Sequence, residues 1–138
     1  MYGSNHGVNR PNPATWMYEK LMRGETLHVV SDIYENPLYN IQCSQALWEI
    51  LRRKTGGIVH LAGAETVNRH GFALKLASVF GLDKNLIVPV ESSYFPEIAP
   101  RPRNTSFVTE RMSRELGLKP LTVEQGLKLM KADMRVVA

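Results

Sequence analysis

The stretch Gly56-Gly57-Ile58-Val59-His60-Leu61-Ala62-Gly63 decides how the rest of the chain is read. Two glycines break the preceding helical pattern, and an apolar run without polar alternation follows. A continuous run of this kind marks a strand covered on both faces, as in a parallel sheet flanked by helices. The run therefore predicts a strand over 58–62, with His60 held inside it as a core histidine.

Outward from that strand the pattern alternates between helix and strand. Upstream, Pro13 to Arg23 reads as a helix closed by Gly24, because proline suits the first turn and glycine the exit. Leu27-His28-Val29-Val30 is a short strand, Ser31 to Asn40 a turn-rich loop, and Ile41 to Lys54 a helix. That helix is expected to bury Cys43, Leu47, Ile50 and Leu51, leaving Gln45, Glu49, Arg52 and Arg53 to solvent. Cys43 then behaves as a small buried hydrophobe rather than a nucleophile. Downstream, Asn68 caps a helix that buries Phe72, Leu76, Val79 and Phe80 and stops at Gly81. Leu86 to Val90 is a strand whose Pro89 places it near an edge. Thr109 to Leu116 is helical, and Thr122-x-x-Gln125 is a capping box that opens a last helix with Val123, Leu127 and Met130 inward. Helix–strand alternation of this kind gives an α/β fold: a small, mostly parallel sheet of about three strands flanked by helices.

With 138 residues, 43% hydrophobic and 22% charged, the chain fits one ordinary domain, 1–138. No apolar run approaches the ~20 residues of a membrane span. The N-terminus lacks an apolar signal segment, and the lone Cys43 permits no intrachain disulfide, so a cytoplasmic setting is expected. The net charge of +4 comes from basic residues mixed with acids and not interleaved with aromatics, so no nucleic-acid partner is expected. Arg52-Arg53-Lys54 sits at a helix C-terminus, where the dipole favours cations.

Several chemistries are missing from the sequence. There is no Gly-x-Gly-x-x-Gly and no Gly-x-x-x-x-Gly-Lys, so no phosphate-cradling loop. No tyrosine has a lysine four residues on, and the four histidines are not at metal-ligand spacings. What remains is Arg101-Pro102-Arg103-Asn104-Thr105-Ser106, a proline-stiffened connector holding guanidinium and short polar groups together, which suits a fixed anion or an acidic partner.

An ordered series of short motifs now finds a match. Tyr2-Gly3, then Leu27-His28-Val29-Val30-Ser31-Asp32 with Pro37 and Tyr39, then Ala46-Leu47, Gly57-Ile58-Val59-His60-Leu61-Ala62-Gly63, Phe72-Ala73, Arg101-Pro102-x-Asn104 and Leu116-Gly117 run in order along the chain. Together they resemble the back part of the dTDP-4-dehydrorhamnose reductase family, a branch of the extended short-chain dehydrogenase/reductases. The resemblance implies a substrate-binding domain closing over a nucleotide-activated sugar beside NAD(P). It implies that Asp32, Pro37 and Tyr39 line the sugar-nucleotide cleft and that Arg101 and Asn104 fix the connector there. Arg101 is then a candidate contact for a diphosphate or carboxylate, or else a structural pin that pairs with an acid. Asp32 has a loop-capping reading beside its substrate reading. Asn9 and Arg10 are further binding candidates beside a plain solvated-loop reading.

Two positions depart from the family pattern. Leu38 stands where threonine is usual, and Gln42 where aspartate is usual, which puts the polar network ahead of the helix in question. The family's cofactor loop and Tyr-x-x-x-Lys dyad have no counterpart in the sequence. The chain alone is thus expected to bind no cofactor, to hold no catalytic residue and no metal, and to represent a fragment or split part of a longer reductase. A second expectation is a noncatalytic interaction module of the same fold, which associates with itself or a partner protein through an apolar face.

Overall fold

A computed structural model describes residues 1–4, 11–96 and 102–136, the last two of these by their backbone alone. The elements follow in the order α1 (Pro13–Met22), β1 (Leu27–Val30), β2 (Tyr34–Glu35), α2 (Asn40–Arg53), β3 (Val67–Asn68), α3 (Arg69–Phe80), β4 (Ile87–Val90), α4 (Glu110–Leu116) and α5 (Val123–Val136). The α/β class read from the sequence is the one observed. No helix among the described residues is long and apolar enough to cross a membrane.

Three of the helix starts, those of α1, α3 and α5, have a side-chain cap as their local cause. Asn12 Oδ1 accepts from the Ala14 and Thr15 N–H groups at 3.0 and 3.2 Å, satisfying free donors of the first α1 turn. Asn68 Oδ1 accepts from Gly71 N–H at 2.7 Å, while its Nδ2 donates to the Ser31 carbonyl at 2.7 Å. One side chain therefore opens α3 and ties it to the end of β1. The capping box is present: Thr122 Oγ1 accepts from Gln125 N–H at 3.2 Å, and Gln125 Oε1 accepts from Thr122 N–H at 2.9 Å. Gly81, at φ 74°, ends α3 in the left-handed conformation that favours glycine.

β1 and β4 pair in parallel, Leu27 opposite Ile87 through Val30 opposite Val90. Helix α3 packs on this pair and α1 and α5 pack on α3. Their shared core holds Met17, Leu27, Leu76, Val123, Leu127 and Met130, all nearly or fully buried. Fully burying one such side chain stabilises the fold by about 1.5–3 kcal/mol. A second, smaller cluster joins Ala46 of α2 to Met112 and Leu116 of α4.

Several expectations are corrected. The segment 58–62 is not a strand, so the parallel sheet has two strands instead of three; β2 and β3 form a separate antiparallel pair. A strand needs a ladder partner for its backbone groups, and the described chain offers 58–62 none. Arg111 instead donates to the Gly56 carbonyl at 2.9 Å and to the Ile58 carbonyl. His60 is consequently exposed rather than core, its ring stacked on Phe107 at 4.5 Å. Helix α2 is turned from the expected orientation: Gln42 and Ala46 are buried, whereas Leu47, Trp48 and Leu51 are 53–69% exposed. Cys43 is half-buried rather than enclosed. On α3, Phe72 and Leu76 are buried as expected, with Ala73 and Ala77, while Val79 and Phe80 pack only partly buried against the core.

Candidate functional site

The candidate site forms where the segment after β2 meets residues 103–107. Tyr34 donates its N–H to the Arg103 carbonyl at 2.8 Å, and Thr105 donates back to the Tyr34 carbonyl at 2.9 Å. Asn36 completes the junction by reaching both ways. Its Nδ2 donates to the Phe107 and Gly63 carbonyls at 2.9 and 3.1 Å, and its Oδ1 accepts from Phe107 N–H at 3.0 Å. Gly63 is required here because an added Cβ would lie 2.2 Å from the Pro37 carbonyl oxygen.

Two adjoining cavities open on this junction and share Met1, Glu35 and Pro37 as walls. The smaller, of ≈ 60 Å³, reaches toward Tyr2, Phe72 and Arg69. The larger, of ≈ 320 Å³, is bounded by Leu61, Thr105 and Phe107, with Cys43 in its wall. Glu35 and Arg69 face each other at 3.9 Å, so the rim of the smaller cavity carries both signs of charge. The walls combine apolar side chains with Glu35, Asn36, Arg69 and Thr105, polar groups able to orient a ligand. No cluster of metal-ligating side chains occurs among the described residues.

The candidate residues divide between three locations. Pro37 lines both cavities. Asp32 and Asn104 stand at the same connector without lining either. Asp32 accepts from the Ser92 N–H and hydroxyl, each at 2.9 Å, and pairs with Arg103. Partial desolvation pushes its carboxyl upward, but the Ser92 bonds and the Arg103 charge outweigh it and hold the group below the usual carboxylate range. Asn104 bridges to Tyr34, and its Oδ1 accepts from the Ser106 N–H and hydroxyl at 2.9 and 2.7 Å, stiffening its own turn. Tyr39 is buried, its ring packed on Tyr2 at 5.8 Å, and desolvation, followed by the charge of Asp133, raises its phenol. Tyr2 is buried too; burial, Tyr39 and Glu65 push its phenol upward, and its hydroxyl donates to the Val123 carbonyl at 3.2 Å. Asn9, Arg10 and Arg101 lie outside the described residues.

Arg103 lies within the stretch singled out from the sequence and is the guanidinium of that stretch that the described residues show, paired with Asp32. Asn36 carried a signal too, since Asn-Pro favours a turn. Nothing in local sequence joins Glu35 to Arg69; antiparallel pairing of β2 with β3 brings them together.

The sequence matches the family described as the RmlD substrate binding domain over residues 1–136. No curated protein matches it. Among solved structures it is similar to a dTDP-4-dehydrorhamnose reductase from Bacillus anthracis in complex with NADP, 22% identical with TM-score 0.81, covering 96% of this chain and 45% of that one. A dTDP-4-dehydrorhamnose reductase from Clostridium acetobutylicum is 18% identical with TM-score 0.82, covering 92% and 45%. A hypothetical dTDP-4-dehydrorhamnose reductase from Sulfolobus tokodaii is 26% identical with TM-score 0.70, covering 83% and 41%. This chain thus spans less than half the length of each of these proteins. On the strength of the match over 1–136, the chain belongs to the RmlD substrate-binding domain family.

Proposed function

We propose that the chain is the nucleotide-sugar-binding portion of an NAD(P)-dependent reductase acting on a dTDP-4-dehydrorhamnose-like substrate, and that hydride transfer requires a separate cofactor-binding half. The carrying observation is the ≈ 320 Å³ cavity, whose wall runs from Pro37, Thr105 and Phe107 into Leu61 and Ala62. The cavity therefore borders the apolar run 58–62, which finds no strand partner in the described chain. Pro37 and the 103–107 connector supply one wall of a cleft, and a second body seated along 58–62 supplies the other. With no glycine-rich loop and no Tyr-x-x-x-Lys, the sequence offers nothing to cradle a dinucleotide pyrophosphate or act as the phenolic acid. Isothermal titration of dTDP and NADPH into the 138-residue chain tests this reading. Saturable dTDP binding, weakened by Asn36→Ala, with no NADPH binding is expected. Tight NADPH binding, or dTDP binding indifferent to Asn36, refutes it.

The alternative reading, a noncatalytic interaction module, rests on the exposed face of α2. Leu47, Trp48 and Leu51, together with Ile58 at 77% exposure, leave large apolar side chains in water. It predicts self-association that the pair Trp48→Glu and Leu51→Glu abolishes in sedimentation velocity. A clean monomer at tens of micromolar, roughly the range for weak contacts, counts against it.

A further inference from the structure

A groove of ≈ 720 Å³ lies between α3 and α5 and shares no lining residue with the two cavities described above. Four lysines reach it from three elements: Lys75 on α3, Lys84 on the 3-10 turn Lys84–Leu86, and Lys128 and Lys131 on α5. Their ammonium groups are only partly engaged. Lys75 pairs with Glu65 at 2.8 Å, Lys128 with Glu124 at 2.6 Å, and Lys131 donates to the Val79 carbonyl at 2.6 Å. Lys84 has no ion pair among the described residues. Each ammonium has three donors, so most of the donors remain available. Two carboxylates against four lysines leave the groove positive. Glu65 is fully engaged, because its other oxygen accepts from Val123 N–H at 2.8 Å.

We propose that this groove binds a phosphate-bearing organic anion of nucleotide size, with phosphates among the lysines and a ring on the apolar floor formed by Leu74, Val79 and Ala132. Lysine donates as a mobile point charge, the form in which lysines bind phosphates. The volume falls within the roughly 300–1,000 Å³ of small-ligand sites.

The test titrates the 138-residue chain with ATP, adenosine and inorganic pyrophosphate at low salt, in wild type and in the Lys84→Gln/Lys128→Gln double variant. Both side chains are exposed, so the variant is expected to melt like wild type. ATP binding is expected, weaker by roughly tenfold in the variant, with pyrophosphate weaker than ATP and adenosine not bound. Ser78→Glu, at an exposed lining position, is a second variant that repels the phosphates. No ATP binding, equal affinity for wild type and both variants, pyrophosphate as tight as ATP, or adenosine as tight as ATP overturns the proposal. Because dTDP and NADPH also carry phosphates, the titrations that test the cleft reading are run in the Lys84→Gln/Lys128→Gln background at physiological salt, where the groove contributes least, so that dependence on Asn36 and dependence on the lysines are read apart.

Discussion

Gln42 is the residue whose replacement tests the packing argument most directly. It is 4% exposed, on the buried side of α2, and makes two bonds to the connector ahead of α5. Its Nε2 donates to the Lys119 carbonyl at 2.9 Å, and its Oε1 accepts from Leu121 N–H at 3.1 Å. A neutral amide is the only common side chain of this length that both donates and accepts without carrying charge. The departure from the family's usual aspartate therefore leaves the local network complete. Gln42→Ala removes both bonds and leaves a carbonyl and an N–H unpaired, a loss of about 2–4 kcal/mol. At about 4 °C per kcal/mol for a chain of this size, Tm falls by roughly 8–16 °C. Gln42→Glu is the sharper perturbation. The introduced carboxyl still accepts from Leu121, but in its ionised form it presents oxygen to oxygen at Lys119, at a cost of about 1–3 kcal/mol. Only the protonated form donates to that carbonyl, so folding raises the introduced group above the roughly 4.3 of an unfolded glutamate. A raised folded value gives stability that is complete below the unfolded value and lost as pH rises through the folded one. Urea unfolding of wild type and variant at pH 4.5 and pH 8 should therefore show the smaller gap at the acid end. A gap that widens on acidification, or Gln42→Ala within about 0.5 kcal/mol of wild type, refutes the reasoning.

Three further outcomes are expected. Gly126→Ala should destabilise α5 by roughly 1–3 kcal/mol despite alanine's better helix propensity. The new Cβ would meet the Tyr2 hydroxyl at 2.0 Å, so thermal melts should show part of the loss recovered when Tyr2→Phe is added. Asp32→Asn should lower stability at pH 7, where the Ser92 and Arg103 partners hold the carboxylate ionised. With a depressed folded value, that contribution exists above the usual carboxylate range and is lost as pH falls through it, so wild type and variant should converge in acid urea titrations; a constant gap contradicts the assignment. Gly63→Ala drives a Cβ against the Pro37 backbone and should weaken dTDP binding along with stability, whereas unchanged affinity would separate the cleft from this junction.

The sequence was most legible where one residue decides a local event. Asn68, Gly81 and the Thr122–Gln125 box each closed or opened a helix where expected, because caps are satisfied within a few residues of chain. Strands β1 and β4 were readable from apolar β-branched runs. The pair β2–β3 was not, since each strand has two residues and no period to detect. Within the connector, the pairing of Arg103 with Asp32 could not be read locally. It depends on the Tyr34–Asn104 bridge, formed across 70 positions of sequence.

The failure on α2 has a physical source that 58–62 shares only at Ile58, since Val59 and Leu61 pack on the α2–α4 cluster and Ala62 is 2% exposed. Both readings assumed that apolar residues find cover, and both patterns are sound as descriptions of buried elements. In the described chain, however, Ile58 is 77% exposed, and Trp48 and Leu51 are 67% and 69% exposed. Folding against the chain's own core used the opposite side of α2, where Ala46 meets Met112 and Leu116. The apolar period of α2 is therefore wider than this core requires, and 58–62 carries strand chemistry without a strand neighbour. Residues that are apolar beyond the needs of their own fold describe an environment supplied by another surface. The proposed cofactor-binding half would provide it by pairing with 58–62 and covering α2, which also puts the second wall on the cavity beside Leu61. Partner binding and substrate binding would then be coupled through one short segment, and disrupting 58–62 should impair both together.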